Sequence, residues 1–253
     1  MANSIRRYEG RVVTVIGGGS GLGEGFANRF AREGASVAVL DLDATRGNAV
    51  AASLSSYGVA AMYSHVDVTD AESVVSGVDA VVERFGKLDV AVNSAGIGGG
   101  MHLLTEFPLE AWKQTIMVNL VGMFHCLRAE VPHMEANGGS IINIASMVGA
   151  VAHPLTSAYV ASKHGVVGLT RSAALKWGHK QIRINAVGPT YVRTPLTVPA
   201  IPEEVWPELD AEHALGRCAT IDDIAGVVAF LGSDDASIVT GAFYLADAGY
   251  TAR

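Results

Sequence analysis

Tyr159 and Lys163 stand four residues apart in the run Ser157-Ala158-Tyr159-Val160-Ala161-Ser162-Lys163, and Ser146 lies thirteen residues before the tyrosine. Residues 157–177 read as a helix. Positions i and i+4 of a helix share a face, so the phenol and the ammonium become neighbours. A free phenol titrates near about 10. A cation close by favours the phenolate, which makes the tyrosine a better proton acceptor near neutral pH. A serine hydroxyl at the same spot would bond a substrate oxygen. Each residue also has an ordinary structural use: Tyr159 on an amphipathic helix, Lys163 as a solvated charge, Ser146 in a turn at a strand end. The case therefore depends on the elements that would bring them together.

Those elements alternate. Short runs rich in Val, Ile and Ala at 12–16, 36–40, 60–64, 90–92, 140–145, 182–187 and 243–245 read as strands. They are mostly unbroken apolar runs, as for strands covered on both faces. Between them lie helical patterns at 22–33, 44–57, 70–85, 108–135, 157–177 and 222–231. Thr69-Asp70-Ala71-Glu72 is a helix start signal, and Gly86 closes the helix that follows. Such alternation predicts an α/β fold: one Rossmann-type domain over residues 1–253, a doubly wound seven-stranded parallel sheet with helices on both faces. The one break in composition is 194–208, where Pro195, Pro199, Pro202 and Pro207 argue against a single regular helix. It reads as a small lid near 194–214, or as a static surface loop.

The first strand runs into Gly17-Gly18-Gly19-Ser20-Gly21-Leu22-Gly23, and a helix follows. Strand, glycine turn and helix are the context a dinucleotide site requires. Glycine lets the backbone approach a pyrophosphate, and the helix N-terminus offers unpaired N–H groups and a positive dipole end. Asp41 ends the second strand, eighteen residues after Gly23. An acid there can accept bonds from both hydroxyls of an adenosine ribose and repels a 2′-phosphate. No Arg or Lys lies in 17–23, and Leu42 follows the acid, so the pattern favours NAD over NADP. Asp41 could instead cap the helix near Ala44, a job Asp43 can do equally well.

Composition excludes several other classes. The 253 residues are 49% hydrophobic and 17% charged, which gives a compact core and not a disordered chain. Net charge is −7 with no Lys/Arg cluster, so neither nucleic acid nor an anionic membrane is expected as a partner. No apolar run approaches the length of a membrane span. Cys126 and Cys218 are far apart and fit free thiols in a reducing compartment. The N-terminal ten residues show no apolar leader, so the expected address is the cytoplasm. The eight histidines show no metal-ligand spacing, and no metal site is expected.

Taken in order, these motifs resemble the short-chain dehydrogenase/reductase family along essentially the whole chain. Asp67-Val68 after strand three resembles the family's adenine-contacting pair. Asn93-Ser94-Ala95-Gly96 resembles its N-N-A-G motif, with Ser94 in place of the second Asn. Asn119 matches the Asn of the long crossover helix, and with Ser146, Tyr159 and Lys163 it completes a catalytic tetrad. Pro189, Thr190, Val192 and Thr194 fall on the nicotinamide-side P-G-x-x-x-T segment. Gly216-Arg217 and Asp247-Ala248-Gly249 resemble the G-R and D-G-G signatures. Four further positions depart from the pattern: Ile16 for Thr, Thr190 for Gly, Ile221 for Pro and Ala248 for Gly. They put loop geometry in doubt, not the reaction class.

The resemblance implies reversible hydride transfer between NAD(H) and a secondary alcohol or ketone. Tyr159 would handle the proton, Lys163 would lower its pKa and bond the nicotinamide ribose, Ser146 would bond the reacting oxygen, and Asn119 would hold a water linking Lys163 to solvent. Gly17, Gly19, Ser20, Gly21, Leu22, Gly23, Asp41, Leu42, Asp67, Val68, Asn93, Ala95 and Gly96 would line the NAD site with the nicotinamide-side residues. Met147, Val148, His153, Tyr191, Leu196 and Trp206 lie on segments that border the substrate pocket in this family, with Val151 and Val198. They suggest a small-molecule substrate with an apolar, cyclic or aromatic body. Arg193 is the one nearby candidate for binding an anionic group. The resemblance further implies a homotetramer built through the helices of Asn119 and Tyr159 and through the C-terminal strand. Two alternatives stay open: a 3-oxoacyl-thioester reductase, and a dinucleotide-sensing binding protein that has lost catalysis.

Overall fold

A computed structural model describes residues 6–252. Residues 1–5, which belong to the stretch read above as lacking a leader, and residue 253 lie outside the described residues. Seven parallel strands form one sheet in the order β3-β2-β1-β4-β5-β6-β7. They are β1 Val12–Ile16, β2 Ser36–Asp41, β3 Ala61–His65, β4 Val90–Asn93, β5 Gly139–Ile144, β6 Ile182–Pro189 and β7 Phe243–Ala246. All pairings are parallel and in continuous register, from Val12 opposite Ser36 to Pro189 opposite Ala246. Strand order reverses between β1 and β4. At such a switch point the connections leave in opposite directions and open a crevice at the carboxyl ends of the strands.

Each face of the sheet is sealed by helices, as the unbroken apolar strands require. On one face α1 (Gly21–Arg32), α2 (Ala44–Leu54) and α8 (Ile221–Gly232) bury Phe26, Phe30, Leu54 and Val228 against Val13, Val15 and Val39. On the other, α3 (Ala71–Phe85), α5 (Gly122–Met134) and α6 (Ser157–Trp177) meet Ile16, Leu40, Ala91 and Ile141. The expected start signals do their work. Asp43 caps α2 through Thr45 and Arg46 N–H groups, Asp70 caps α3 through Glu72 N–H, and Gly86 ends α3 at φ +81°. No helix among the described residues is long and apolar enough to cross a membrane.

Two segments differ from their sequence reading. The stretch 108–135 is not one α-helix. It is α4 (Leu109–Ile116), a π turn (Met117–Val121) and then α5. A π turn inserts one residue into the helical ladder and re-aims the side chains in it, and here the re-aimed residue is Asn119. Gly165 of α6 lets the pieces close up, since a Cβ there would come within 2.7 Å of Leu120. The proline-rich segment is irregular through residue 201, as expected. It then gains a 3₁₀ turn (Glu203–Val205) and α7 (Trp206–Glu212). Pro207 sits in the first turn of α7, where its missing N–H costs nothing.

A polar seam crosses the core below the crevice. Asn93 Nδ2 donates to Glu130 Oε2 (3.0 Å) and Asn143 Oδ1 (3.1 Å), and Asn143 Nδ2 donates to Thr170 Oγ1 (3.0 Å). Glu130 is fully buried and no cation faces it among its named partners, so burial pushes its carboxyl up to about 8. The unfolded chain releases this proton at an ordinary carboxylate pKa, so between there and pH 8 the folded state holds the extra proton. Stability therefore falls as pH rises through that window, by up to about 1.4 kcal/mol per unit for this group. Glu130→Gln, which keeps the acceptor and cannot ionise, should flatten the decline. Urea melts of both proteins at pH 6 and pH 8.5 check this; parallel pH profiles would refute it.

Candidate active site

The crevice between β1 and β4 opens into a cleft of about 520 Å³. Its floor begins at the glycine loop. Gly17 adopts φ +78°, and a Cβ on it would meet Ala95 N at 2.5 Å, so the loops after β1 and β4 close on each other only because the residue is glycine. The Gly17 N–H donates to the Leu40 carbonyl at 2.7 Å. That backbone bond holds the turn without the hydroxyl that Ile16 lacks, and Ile16 instead packs in the core. Ser20 precedes α1 but makes no capping bond to it. The first-turn N–H groups of α1 are thus left for another acceptor.

Asp41 closes this end of the cleft. One carboxylate oxygen accepts from Gly19 N–H at 2.8 Å and the other from Asp43 N–H at 2.9 Å. The capping alternative is settled in favour of Asp43. Leu42, Asp67 and Val68 line the same end. Asp67 is stiffened by its bonds from the Thr69 N–H and hydroxyl.

At the other end, Ser146 leaves β5, and Tyr159 and Lys163 rise from the first two turns of α6. Lys163 is 4% exposed. Its Nζ donates to the Ile144 carbonyl at 2.8 Å and lies 5.5 Å from the centre of the Tyr159 ring. Burial without a carboxylate partner lowers the Lys163 pKa to about 8. Burial also raises the Tyr159 phenol above its ordinary value, and its bond with Ser146 only partly offsets that. This corrects the expectation of a lowered phenol: withdrawal from water outweighs the stabilising contact.

Asn119 is fully buried behind the wall. Its amide is spent on the loop after β4: Oδ1 accepts from Ile97 N–H and Nδ2 donates to Ile97 C=O, both at 2.8 Å. Nδ2 also reaches Ser162 Oγ at 3.2 Å. A side chain so engaged pins the loop next to Lys163.

Of the residues singled out from sequence, Gly17, Ser20, Gly21, Leu22, Gly23, Asp41, Leu42, Asp67, Val68, Ala95, Gly96, Ser146, Tyr159, Lys163, Pro189, Thr190, Val192, Thr194 and Leu196 share the cleft wall. Others stand off it. Gly19 touches the site only through Asp41, and the Asn93 side chain points into the core seam. Met147 and Val148 are buried in a turn behind Ser146, and His153 Nδ1 accepts from Leu155 N–H. Tyr191 packs edge-on against His213 and Tyr250. Trp206 is fully buried with the Arg193 guanidinium 4.2 Å from its ring centre, and Arg193 also pairs with Glu203. Met147, Val148 and Trp206 are buried, whereas His153 and Tyr191 are half-buried. Ile97, Gln114, Val118 and Thr197 line the cleft and were not anticipated. Gln114 and Val118 lie one helical turn apart around the π turn, and helical spacing on that crossover was the only available signal.

A family model described as "Enoyl-(Acyl carrier protein) reductase" matches residues 17–251. The chain is 39% identical to a cyclohexanol dehydrogenase of Acinetobacter sp. (strain SE19), over 98% of this chain and 97% of that protein. It is 41% identical to a cis-4-hydroxycyclohexanecarboxylate dehydrogenase of Sinomonas cyclohexanicum, over 96% and 97%. Its fold is similar to a carveol dehydrogenase from Mycobacterium avium crystallised in complex with NAD, with a TM-score of 0.93 at 32% identity over 98% and 99% of the two chains.

The buried ammonium makes a stability prediction. Lys163→Met keeps the stem and removes a charge held out of water, so at pH 7 the variant should be more stable, by roughly 2 kcal/mol after the lost Ile144 bond is discounted. The gain should shrink as pH rises from 8 towards the ordinary lysine value, because the wild-type lysine is then neutral in both states. Denaturant melts at pH 7 and pH 10 check it; a less stable variant at pH 7 would overturn the reading of Lys163 as a strained charge.

Proposed function

Because the chain belongs to the short-chain dehydrogenase/reductase family, we propose that it transfers a hydride between NAD(H) and a secondary alcohol or ketone with an apolar, cyclic body. One observation carries the reading: a single cleft runs from a glycine cradle and Asp41 to Ser146, Tyr159 and Lys163. The cradle fits a dinucleotide, because the close approach at Gly17 and the uncapped start of α1 provide a surface of backbone N–H groups for a pyrophosphate. Asp41 accepts from a ribose and disfavours a 2′-phosphate, which supports NAD. When bound, the nicotinamide supplies the hydride acceptor or donor.

The chain's own residues handle the proton. Tyr159 takes it from the alcohol hydroxyl in oxidation and returns it to the carbonyl in reduction. Below pH 8 Lys163 is an ammonium close to that phenol, and it supplies the cation that offsets the cost of a buried phenolate. Ser146 donates to the reacting oxygen as charge develops on it. Asn119 fixes the loop that faces them.

The substrate end has Ile97, Val118, Val192 and Leu196 on its walls, which suits an aliphatic ring. Lys163 is the one cation among the described lining residues, and Arg193 is held by Glu203 and Trp206. Among the described residues lining the cleft no further basic group is thus set to receive a substrate carboxylate; with Asp41 at the ribose end, this counts against a thioester reductase. We place the enzyme in the cytoplasm, where the free thiols Cys126 and Cys218 stay reduced; cell fractionation tests it. We also infer a tetramer joined through α4, α5 and α6. Met117 and Phe124 are exposed on that column, and open space lies over Gly168. Light scattering tests this, and a monomeric peak would remove it.

Tyr159→Phe should lower kcat by roughly 10³-fold while the Kd for NADH stays within about threefold. Full turnover would sink the assignment, and so would failure of the wild type to form NADH from any secondary alcohol, as a dinucleotide-sensing protein would. In a panel at fixed NAD, cyclohexanol should exceed 4-hydroxycyclohexanecarboxylate in kcat/KM by at least about tenfold, the order of magnitude that one unpaired charge in a site costs. Preference for the carboxylate would show that a cation had been overlooked.

A further inference from the structure

Thr190, which stands where the family pattern has glycine, lines the cleft and is 8% exposed. Its hydroxyl lies 2.6 Å from Nε2 of His213, the residue that ends α7. His213 is 3% exposed. Its Nδ1 lies 2.5 Å from the carbonyl of Leu209, one turn back in the same helix. A carbonyl only accepts, so Nδ1 carries the hydrogen. In the neutral ring Nε2 is then an acceptor, and the Thr190 hydroxyl must donate to it. This bond network assigns the tautomer. With the ring neutral, the Thr190 proton is committed to His213, so the hydroxyl oxygen can only accept from a third group.

The imidazole cannot easily turn. Tyr250 lies 5.0 Å from it, centroid to centroid, and Tyr191 6.4 Å. The same contact secures the lid. The segment enters at Thr194 and Pro195, which reach within 3.4 Å of where a Gly21 Cβ would be. It leaves at His213, bonded to Thr190. One end of the lid thus rests on the glycine loop and the other on the wall after β6, so lifting α7 breaks the His213–Thr190 bond.

We infer that His213 is a positioning residue for nucleotide binding: it orients the Thr190 hydroxyl as an acceptor for a donor group on the nicotinamide half of the dinucleotide, and it ties that orientation to the seating of the lid. The inference rests on the nucleotide reading given above. Loss of His213 frees the hydroxyl to rotate and the lid to lift. Affinity for the dinucleotide drops, while the proton-handling groups on α6 are untouched.

The test is a cycle of variants on the full-length protein, with NADH as the probe and fluorescence titration as the readout. His213→Phe keeps a ring between Tyr191 and Tyr250 but deletes both bonds. It should raise the Kd for NADH about tenfold while kcat at saturating nucleotide stays within about twofold. His213→Gln, which retains an acceptor and a donor, should recover to within about threefold of wild type. In Kd for NADH, Thr190→Val should match His213→Phe, Thr190→Ser should match wild type, and the double variant should bind no more weakly than the worse single one. An unchanged Kd in folded His213→Phe would overturn the inference, as would additive losses in the double variant or a fall in kcat with Kd unmoved. If His213→Phe fails to fold, Thr190→Val decides, and wild-type affinity there overturns it. A wild-type protein that does not bind NADH would instead remove the nucleotide reading beneath it.

Discussion

The site depends on keeping one ammonium out of water. Lys163 is buried with a single carbonyl, Ile144, as its direct acceptor. A charge in that position favours its neutral form and destabilises its surroundings unless they are held firmly. What holds them converges from four directions: the end of β5, the first turns of α6, the glycines after β4, and the π turn carrying Asn119. Gly96 has no room to spare, since a Cβ on it would lie 3.2 Å from Asn119 Oδ1 and 3.7 Å from Lys163 Nζ. The buried cation is thus held by packing drawn from four separate elements.

Beneath this the Glu130–Asn93–Asn143–Thr170 seam ties β4 and β5 to α5 and α6. Its bonds join elements far apart in sequence, while Asn93 Oδ1 and Glu130 Oε1 have no partner among the described residues. The seam fixes the carboxyl ends of the two central strands. Those ends carry Ser94 and Ser146 into the cleft. Above it, the lid is fastened at both ends, by Thr194 and Pro195 against the glycine loop and by His213 against Thr190. The segment 194–213 is thus anchored at two separate points around the cleft.

Much of this was legible in the chain. The glycine run demanded a close approach, and the unbroken Val/Ile/Ala strands demanded cover on both faces. The four-residue spacing of Tyr159 and Lys163 put them on one side of a helix. Other features were not legible. A helical pattern over 108–135 gives no sign of a π turn, because the register shift is set by Asn119 meeting the Ile97 backbone and by Leu120 settling on Gly165. Trp206 and Tyr191 were placed near the substrate by their segments. Segment position does not say which way a side chain turns: Trp206 is buried beneath the exposed Arg193 guanidinium, and Tyr191 packs against the His213–Tyr250 pair.

Sequence alone determined the order of the elements and put Tyr159 beside Lys163 and Asp41 after the glycine loop, because these follow from local periodicity and spacing; the roles it suggested for them came with the family resemblance. Only the tertiary structure decided the proton affinities and the wall of the pocket. Desolvation depends on what packs around a group from distant parts of the chain. For that reason the Tyr159 phenol is raised where spacing predicted that it would be lowered, Glu130 holds a proton that no motif announced, and a histidine at the end of a proline-rich segment meets a threonine twenty-three residues earlier.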